Sequence, residues 1–291
     1  HAARVTAGPE RDALRETASA HLAAQVPDAA LRARLTPDYE IGCKRVLLSD
    51  DYYPALASGR VRLEASAIVA IDPDGVGAVG ASGRRHEADV LVFATGFAAA
   101  RPPFAERIRG RGGELLADHW AEGMTAYASM LVAGFPNLMV LDGPNAALGH
   151  NSAFAMIEAQ AELAAVLVAR LGAPSAAAPA GAEVATPAPG LTVGTDLIET
   201  TPAAEAAWTA RIDAAARDTV WLQGGCRSWY VDERSNRLTL LWPGTATEFR
   251  AALESVAAEQ IPPAHAPATG AAFRRAVTPA SGAALADTHA P

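Results

Sequence analysis

Two adjacent cationic side chains carry the clearest chemical signal. Lys44 and Arg45 lie in Ile41-Gly42-Cys43-Lys44-Arg45-Val46-Leu47-Leu48-Ser49, at the entry to an apolar run. A guanidinium stays charged and presents a planar fork of donors, while an ammonium is a compact point charge. Such a pair suits a phosphate group or an oxyanion that develops during a reaction. The plainer alternative is a solvated basic pair. Against it, Lys44 is the sole lysine of a chain with 24 Lys+Arg. Asp50 and Asp51 follow, and for these carboxylates turn capping is a simpler role than a general-acid pair.

Three more stretches end in turns that suit a ligand. Asp89-Val90-Leu91-Val92-Phe93-Ala94-Thr95-Gly96-Phe97 takes an apolar strand into a small-residue turn. Glycine there lets backbone approach a ligand at a strand's C-terminal end. A second apolar strand, 137–141, leads to Gly143, Pro144 and Asn145, then through His150, Asn151 and Ser152 into a long helix. The free N–H groups and positive dipole of a helix start favour an anion or an electron-rich ring edge. His150 in this position reads as a structural loop histidine. Gly224-Gly225-Cys226-Arg227-Ser228-Trp229-Tyr230 sets aromatics beside glycine turns, as in a loop folding over a flat cofactor, with core packing as the competing reading. Gly75-Val76-Gly77-Ala78-Val79-Gly80 matches G-x-G-x-x-G, but no amphipathic helix follows it, so turns in a β meander are favoured over a dinucleotide site.

The elements that must position these residues follow from periodicity. Residues 9–35 read as helix interrupted at Pro27, and 51–57 as a helical turn. Short β runs at 61–65, 68–71, 76–79 and 89–94 form an antiparallel meander ending in a buried parallel-type strand. The helix from about 151 to 171 carries two apolar stripes. Phe154, Ile157, Ala161, Ala164, Val168 and Leu171 form one, and Met156, Gln160, Leu163 and Leu167 the other. It therefore reads as buried around much of its circumference. Helices are expected near 202–218 and 245–257, with short strands near 219–222, 228–232 and 237–241.

Composition narrows the function classes. The chain has 291 residues, half of them hydrophobic, and a net charge of −8. Without basic clusters, that balance argues against a nucleic-acid surface. No apolar run is long enough for a transmembrane helix and no signal peptide is visible. Cys43 and Cys226, far apart in sequence, read as neither a metal knuckle nor a disulfide framework. The expected compartment is therefore a reducing cytoplasm, and no metal site is expected.

Taken in order, GCKR…DDYYPAL (42–56), DVLVFATGF (89–97), Trp120 with Ala126-Tyr127, GFPNLMVLDGPN…GHNS (134–152) and GGCRSWY…LWPG (224–244) resemble the C-terminal half of Baeyer–Villiger-type, class B flavin-dependent monooxygenases. The resemblance implies an α/β fold, a partial FAD- and NAD(P)-binding, two-domain, three-layer Rossmann-like architecture with a small antiparallel meander, lacking the N-terminal glycine-rich βαβ unit. It implies FAD and NADPH as cofactors, O2 and a small ketone or heteroatom compound as substrates, and a missing N-terminal half as partner. By resemblance Arg45 lies over the flavin and stabilises the negative charge that develops as oxygen passes to a ketone. Lys44 contacts NADPH. Thr95 and Gly96 mark the passage back into the FAD domain. Gly143, Pro144, Asn145, Asn151 and Ser152 meet the flavin ring system, and Trp229 closes over bound NADP. The rival readings are another flavoprotein with two dinucleotide domains, such as an N-hydroxylase or a disulfide-reductase-like enzyme, and a non-catalytic fragment. The expected divisions are a helical segment at 1–43, the FAD/NAD(P)-binding part at 44–171, an Ala/Pro/Gly linker at 172–198, a helix/strand cap at 199–260 and a disordered tail at 261–291.

Overall fold

Prolines and side-chain caps set several helix starts. In the computed structural model, which describes residues 7–71, 83–171, 190–194 and 196–259, Pro9 opens α1 (Pro9–Gln25). Asp28 caps α2 (Ala29–Leu35), accepting the Leu31 N–H at 2.7 Å. Next come α3 (Tyr52–Ala57), α4 (Leu116–His119) and α5 (Ala153–Arg170). Strands β1 (Leu191–Val193) and β2 (Ile198–Thr200) pair antiparallel. Thr201 and Pro202 start α6 (Pro202–Ala216), the threonine accepting the Ala204 N–H at 3.2 Å. The remaining elements are α7 (Val220–Gln223), the antiparallel pair β3 (Val231–Asp232) and β4 (Arg237–Leu238), and α8 (Ala246–Glu259). Thr245 and Glu248 close a capping box at the start of α8, each side chain bonding the other's N–H.

The chain divides into two units. The first comprises described residues 100–217 and 229–259. Its core joins α5 to α8: Met156, Leu163 and Leu167 are buried with Phe249, Leu253 and Val256. Trp208 and Ile212 of α6, with Leu191 and Ile198 of the hairpin, complete it. A second cluster gathers Leu116, Trp120, Met124, Val132 and Phe135. Glu205 links α6 to the surrounding loops. Its carboxylate is buried and accepts from His119 Nε2 at 3.0 Å, the Ala133 N–H at 2.6 Å and the Thr125 hydroxyl. Burial alone would raise the Glu205 pKa, but these donors outweigh it and the net shift is downward. The same contact raises His119 above its usual value.

The second unit comprises described residues 7–71, 83–99 and 218–228. Here α1 packs on α3, with the His21 and Tyr53 rings 5.6 Å apart.

Several expectations are corrected. The helices at 9–25, 52–57, 153–170, 202–216 and 246–259 form as read. The runs 61–65, 68–71 and 89–94 are not strands, and Ile68, Val69, Val90, Val92 and Phe93 are exposed. An apolar strand forms only when neighbours complete its ladder and cover its faces, and no described residue pairs with these runs. Residues 137–141 make turns with one bridge, Leu131 to Met139, rather than a buried strand. Residues 220–223 are helical, not extended. On α5 only the Met156-Gln160-Leu163-Leu167 stripe is buried, while Phe154 and Val168 on the other are exposed. The linker, drawn to residue 198, overlaps the hairpin whose Leu191 and Ile198 are core residues. Of the partial three-layer, Rossmann-like architecture that the resemblance implies, the sheets formed by the described residues are two antiparallel pairs of strands. The G-x-G-x-x-G at 75–80, the linker from 172 to 189 and the tail at 261–291 lie outside the described residues.

Cys43 and Cys226 form a disulfide, against the expectation that they make no disulfide framework. Distance in sequence does not set distance in space. Gly42, at φ 88°, turns the chain at one end, and Gly224 lets the two backbones meet at the other. The pairing removes the cysteine argument for a reducing compartment. No helix among the described residues is long and apolar enough to cross a membrane.

Candidate active site

Lys44 and Arg45 follow directly from the disulfide at Cys43. The turn is held by the Cys43 N–H donating to Glu40 O at 3.1 Å, and Cys43 itself is fully buried. Beyond it both cations are exposed. The Lys44 ammonium stands 4.6 Å from the centre of the Tyr39 ring, a cation–π contact that leaves its charge uncancelled. Among the described residues neither cation is in an ion pair. Asp50 and Asp51 sit at a helix start. The Ser49 hydroxyl accepts the Tyr52 N–H at 3.1 Å and donates to Asp51 at 2.6 Å, so Asp51 orients the cap rather than making it.

Thr95 and Gly96 are exposed in the same unit as Lys44 and Arg45. Gly96 has φ 90°, and an added Cβ there would meet nothing within 4 Å. The residue is chosen for its backbone turn, and the space beside it is open.

The remaining candidates belong to the first unit. Gly143 is a close-approach glycine: a Cβ would stand 2.6 Å from Val140 O and 2.8 Å from Ser129 O. Gly143, Pro144 and Asn145 are buried. Asn145, at φ 57°, donates its side-chain amide to Leu241 O at 3.0 Å and to Leu238 O, and its N–H to Thr239 O at 2.9 Å. Its side chain clamps this loop to the β4 region, so whatever the loop offers a ligand comes from its backbone. Gln160 braces the same loop from α5, accepting the Asp142 N–H and donating to Ser129 O, both at 2.8 Å. Asn151 and Ser152 are exposed at the α5 start, where Asn151 Oδ1 accepts the Ser152 N–H at 2.8 Å. No side chain caps that helix, which leaves its first N–H groups without a side-chain acceptor.

Trp229 is 56% exposed, its ring centre 4.8 Å from that of buried Tyr230 and tilted by 38°. The core-packing alternative therefore fails for Trp229, and holds for Trp242, which packs on Trp208 and Phe249. Sequence reasoning missed two sets of residues. One is the His119–Glu205 network, whose partners lie far apart in the chain. The other is the stack of Arg211, 4.2 Å over the Trp208 ring. The only available signal was one Glu on the apolar side of α6.

No family model matches the chain. Among curated proteins it is 41% identical over 235 residues to a Baeyer–Villiger monooxygenase of Streptomyces coelicolor, covering 81% of this chain and 41% of that protein. It is 38% identical to a Baeyer–Villiger monooxygenase of Pseudomonas aeruginosa, covering 79% of this chain and 40% of that one. Among solved structures, a closed cyclohexanone monooxygenase superposes with TM-score 0.68 at 28% identity, over 88% of this chain and 45% of that one. An OTEMO complex with FAD and NADP does so with TM-score 0.67 at 26% identity, over 85% and 42%. The chain thus spans about two fifths of the length of the curated relatives it matches. Over some four fifths of its own length, it is a homologue of the flavin-dependent Baeyer–Villiger monooxygenases.

Proposed function

We propose that the chain is the C-terminal portion of an FAD- and NADPH-dependent monooxygenase that places one oxygen atom from O2 beside a ketone carbonyl, or onto a soft heteroatom. The observation that carries this reading is the exposed pair Lys44–Arg45, which no carboxylate of the described residues neutralises. Two adjacent uncancelled cations are the donor set that a phosphorylated dinucleotide and a developing oxyanion require. Exposed Trp229 supplies a flat apolar face, and Gly96 an open approach. Taken singly, each of these residues suits part of a cofactor. Lys44 would hold the NADPH phosphate, Trp229 would lie against the bound nicotinamide dinucleotide, and the backbone of Gly143–Asn145 with the start of α5 would meet the flavin. FAD, when bound, supplies the redox chemistry with O2; the protein binds, orients and polarises. Arg45 would supply a permanent cation with a planar fork of donors where negative charge builds on the substrate oxygen. The exposed runs 90–93 and 68–71 support a further partner, an N-terminal half bearing the FAD-type glycine-rich unit that would complete the sheet.

Co-expression of the chain with such a half tests the reading. A yellow flavoprotein is expected, with NADPH oxidation that consumes O2 and turns a ketone into its ester. Failure to retain flavin, or NADPH oxidation that no ketone or heteroatom compound alters, would contradict it.

A further inference from the structure

The two cysteines join the two segments singled out for cofactor contact. Cys43 immediately precedes Lys44, and Cys226 lies three residues before Trp229. The join is tight. The Glu40 N–H donates to Gly224 O at 2.9 Å, and a Cβ on Gly224 would come within 2.9 Å of Cys43 Cβ and Sγ. Apart from the Tyr39 ring beside Lys44, nothing described grips Lys44 or Arg45, so the disulfide is the rigid point from which both cations project.

We propose that Cys43–Cys226 is a redox-sensitive tether that holds the Lys44–Arg45 segment and the turn leading to Trp229 in one arrangement, and that its reduction releases them. The inference rests on the role given above to Lys44, Arg45 and Trp229. Cys43 is buried and Cys226 half-buried, so Cys226 is the more accessible partner and the one an external thiolate would attack. Attack there breaks the Cys43–Cys226 bond, forms a mixed disulfide at Cys226, and expels Cys43 as a thiolate that takes up a proton. The second thiol of a dithiol reductant then displaces Cys226. Two electrons and two protons have passed to the cysteine pair, and the reductant leaves as a disulfide. Both cysteines are positioning residues.

Lys44 makes the test clean, because a lysine-specific protease has this single cleavage site in the whole chain. Cleavage after Lys44 is expected to accelerate at least tenfold on treatment with a dithiol and to slow again after re-oxidation with oxidised glutathione. Cys226→Ser should cleave at the fast rate with or without reductant. Tryptic cleavage at Arg211, in α6 of the other unit, is the control and should not change. An unchanged rate at Lys44, or a parallel rise at Arg211 that marks general unfolding, overturns the tether. No cofactor enters this measurement, so its failure leaves the reading of Lys44 and Arg45 untouched; that reading falls separately, through NADPH and oxygen chemistry.

Discussion

The two units dispose of their apolar residues in opposite ways. In the first, Met156, Leu163, Trp208, Phe249 and Leu253 close on one another. In the second, Leu48 is 95% exposed, Val92 86% and Phe97 95%. Hydrophobic residues of similar kind meet two fates because the first unit contains both sides of its core. The second carries apolar runs that no described residue pairs with or covers. Apolar content shows that a surface wants covering, and only topology says whether the same chain supplies the cover.

The largest test of this contrast is a pair of truncations. Phe249→Ala empties a fully buried site and should cost about 3–5 kcal/mol of unfolding free energy. Val92→Ala, on an exposed run, should fall within about 0.5 kcal/mol of zero. Equal losses in chemical denaturation would break the comparison. Glu205→Ala comes next, because it strands the Ala133 N–H, the Thr125 hydroxyl and His119 together, at a cost of about 2–3 kcal/mol. If its denaturation midpoint matched that of Glu199→Ala, a partly exposed carboxylate on β2, the network would be incidental.

A smaller effect appears in pH dependence. The folded-state pKa of His119 is raised above 6.5, chiefly by the Glu205 hydrogen bond. Its contribution is therefore complete below about 6.5 and is lost as pH rises through the folded value. For Glu205, burial pushes the pKa upward, but its hydrogen bonds prevail and leave it below 4.5. Its contribution is present above 4.5 and is lost as pH falls through the folded value. The first unit should thus be most stable between these limits and weaken slightly toward alkaline pH. His119→Gln should flatten the alkaline side, and a slope that survives the substitution would assign it to another group.

The helices were legible because local signals mark them: the break at Pro27 and the Met156-Gln160-Leu163-Leu167 stripe. The Thr245–Glu248 box is a further such signal, unused in the sequence reading. Strands were misread because VLVFA at 90–94 has a strand's composition whether or not a neighbour exists to pair with it. The disulfide was illegible for a related reason, since Cys43 and Cys226 meet only through glycine turns at both ends. Trp229 and Trp242 look alike in sequence. Three-dimensional packing separates the exposed ring from the buried one.

The central claim is that Arg45 stabilises negative charge during oxygen insertion. In the flavin-loaded enzyme built from this chain and an FAD-binding N-terminal half, the direct measurement is the rate of ester formation from a ketone by Arg45→Ala. Loss of a preorganised donor typically costs about 10²–10³ in rate. Such a loss or greater is expected, with flavin content and folding unchanged and with poor rescue by Arg45→Lys, whose point charge lacks the planar fork. Near-normal ketone oxidation by Arg45→Ala would contradict the account and return Lys44–Arg45 to an ordinary solvated basic turn.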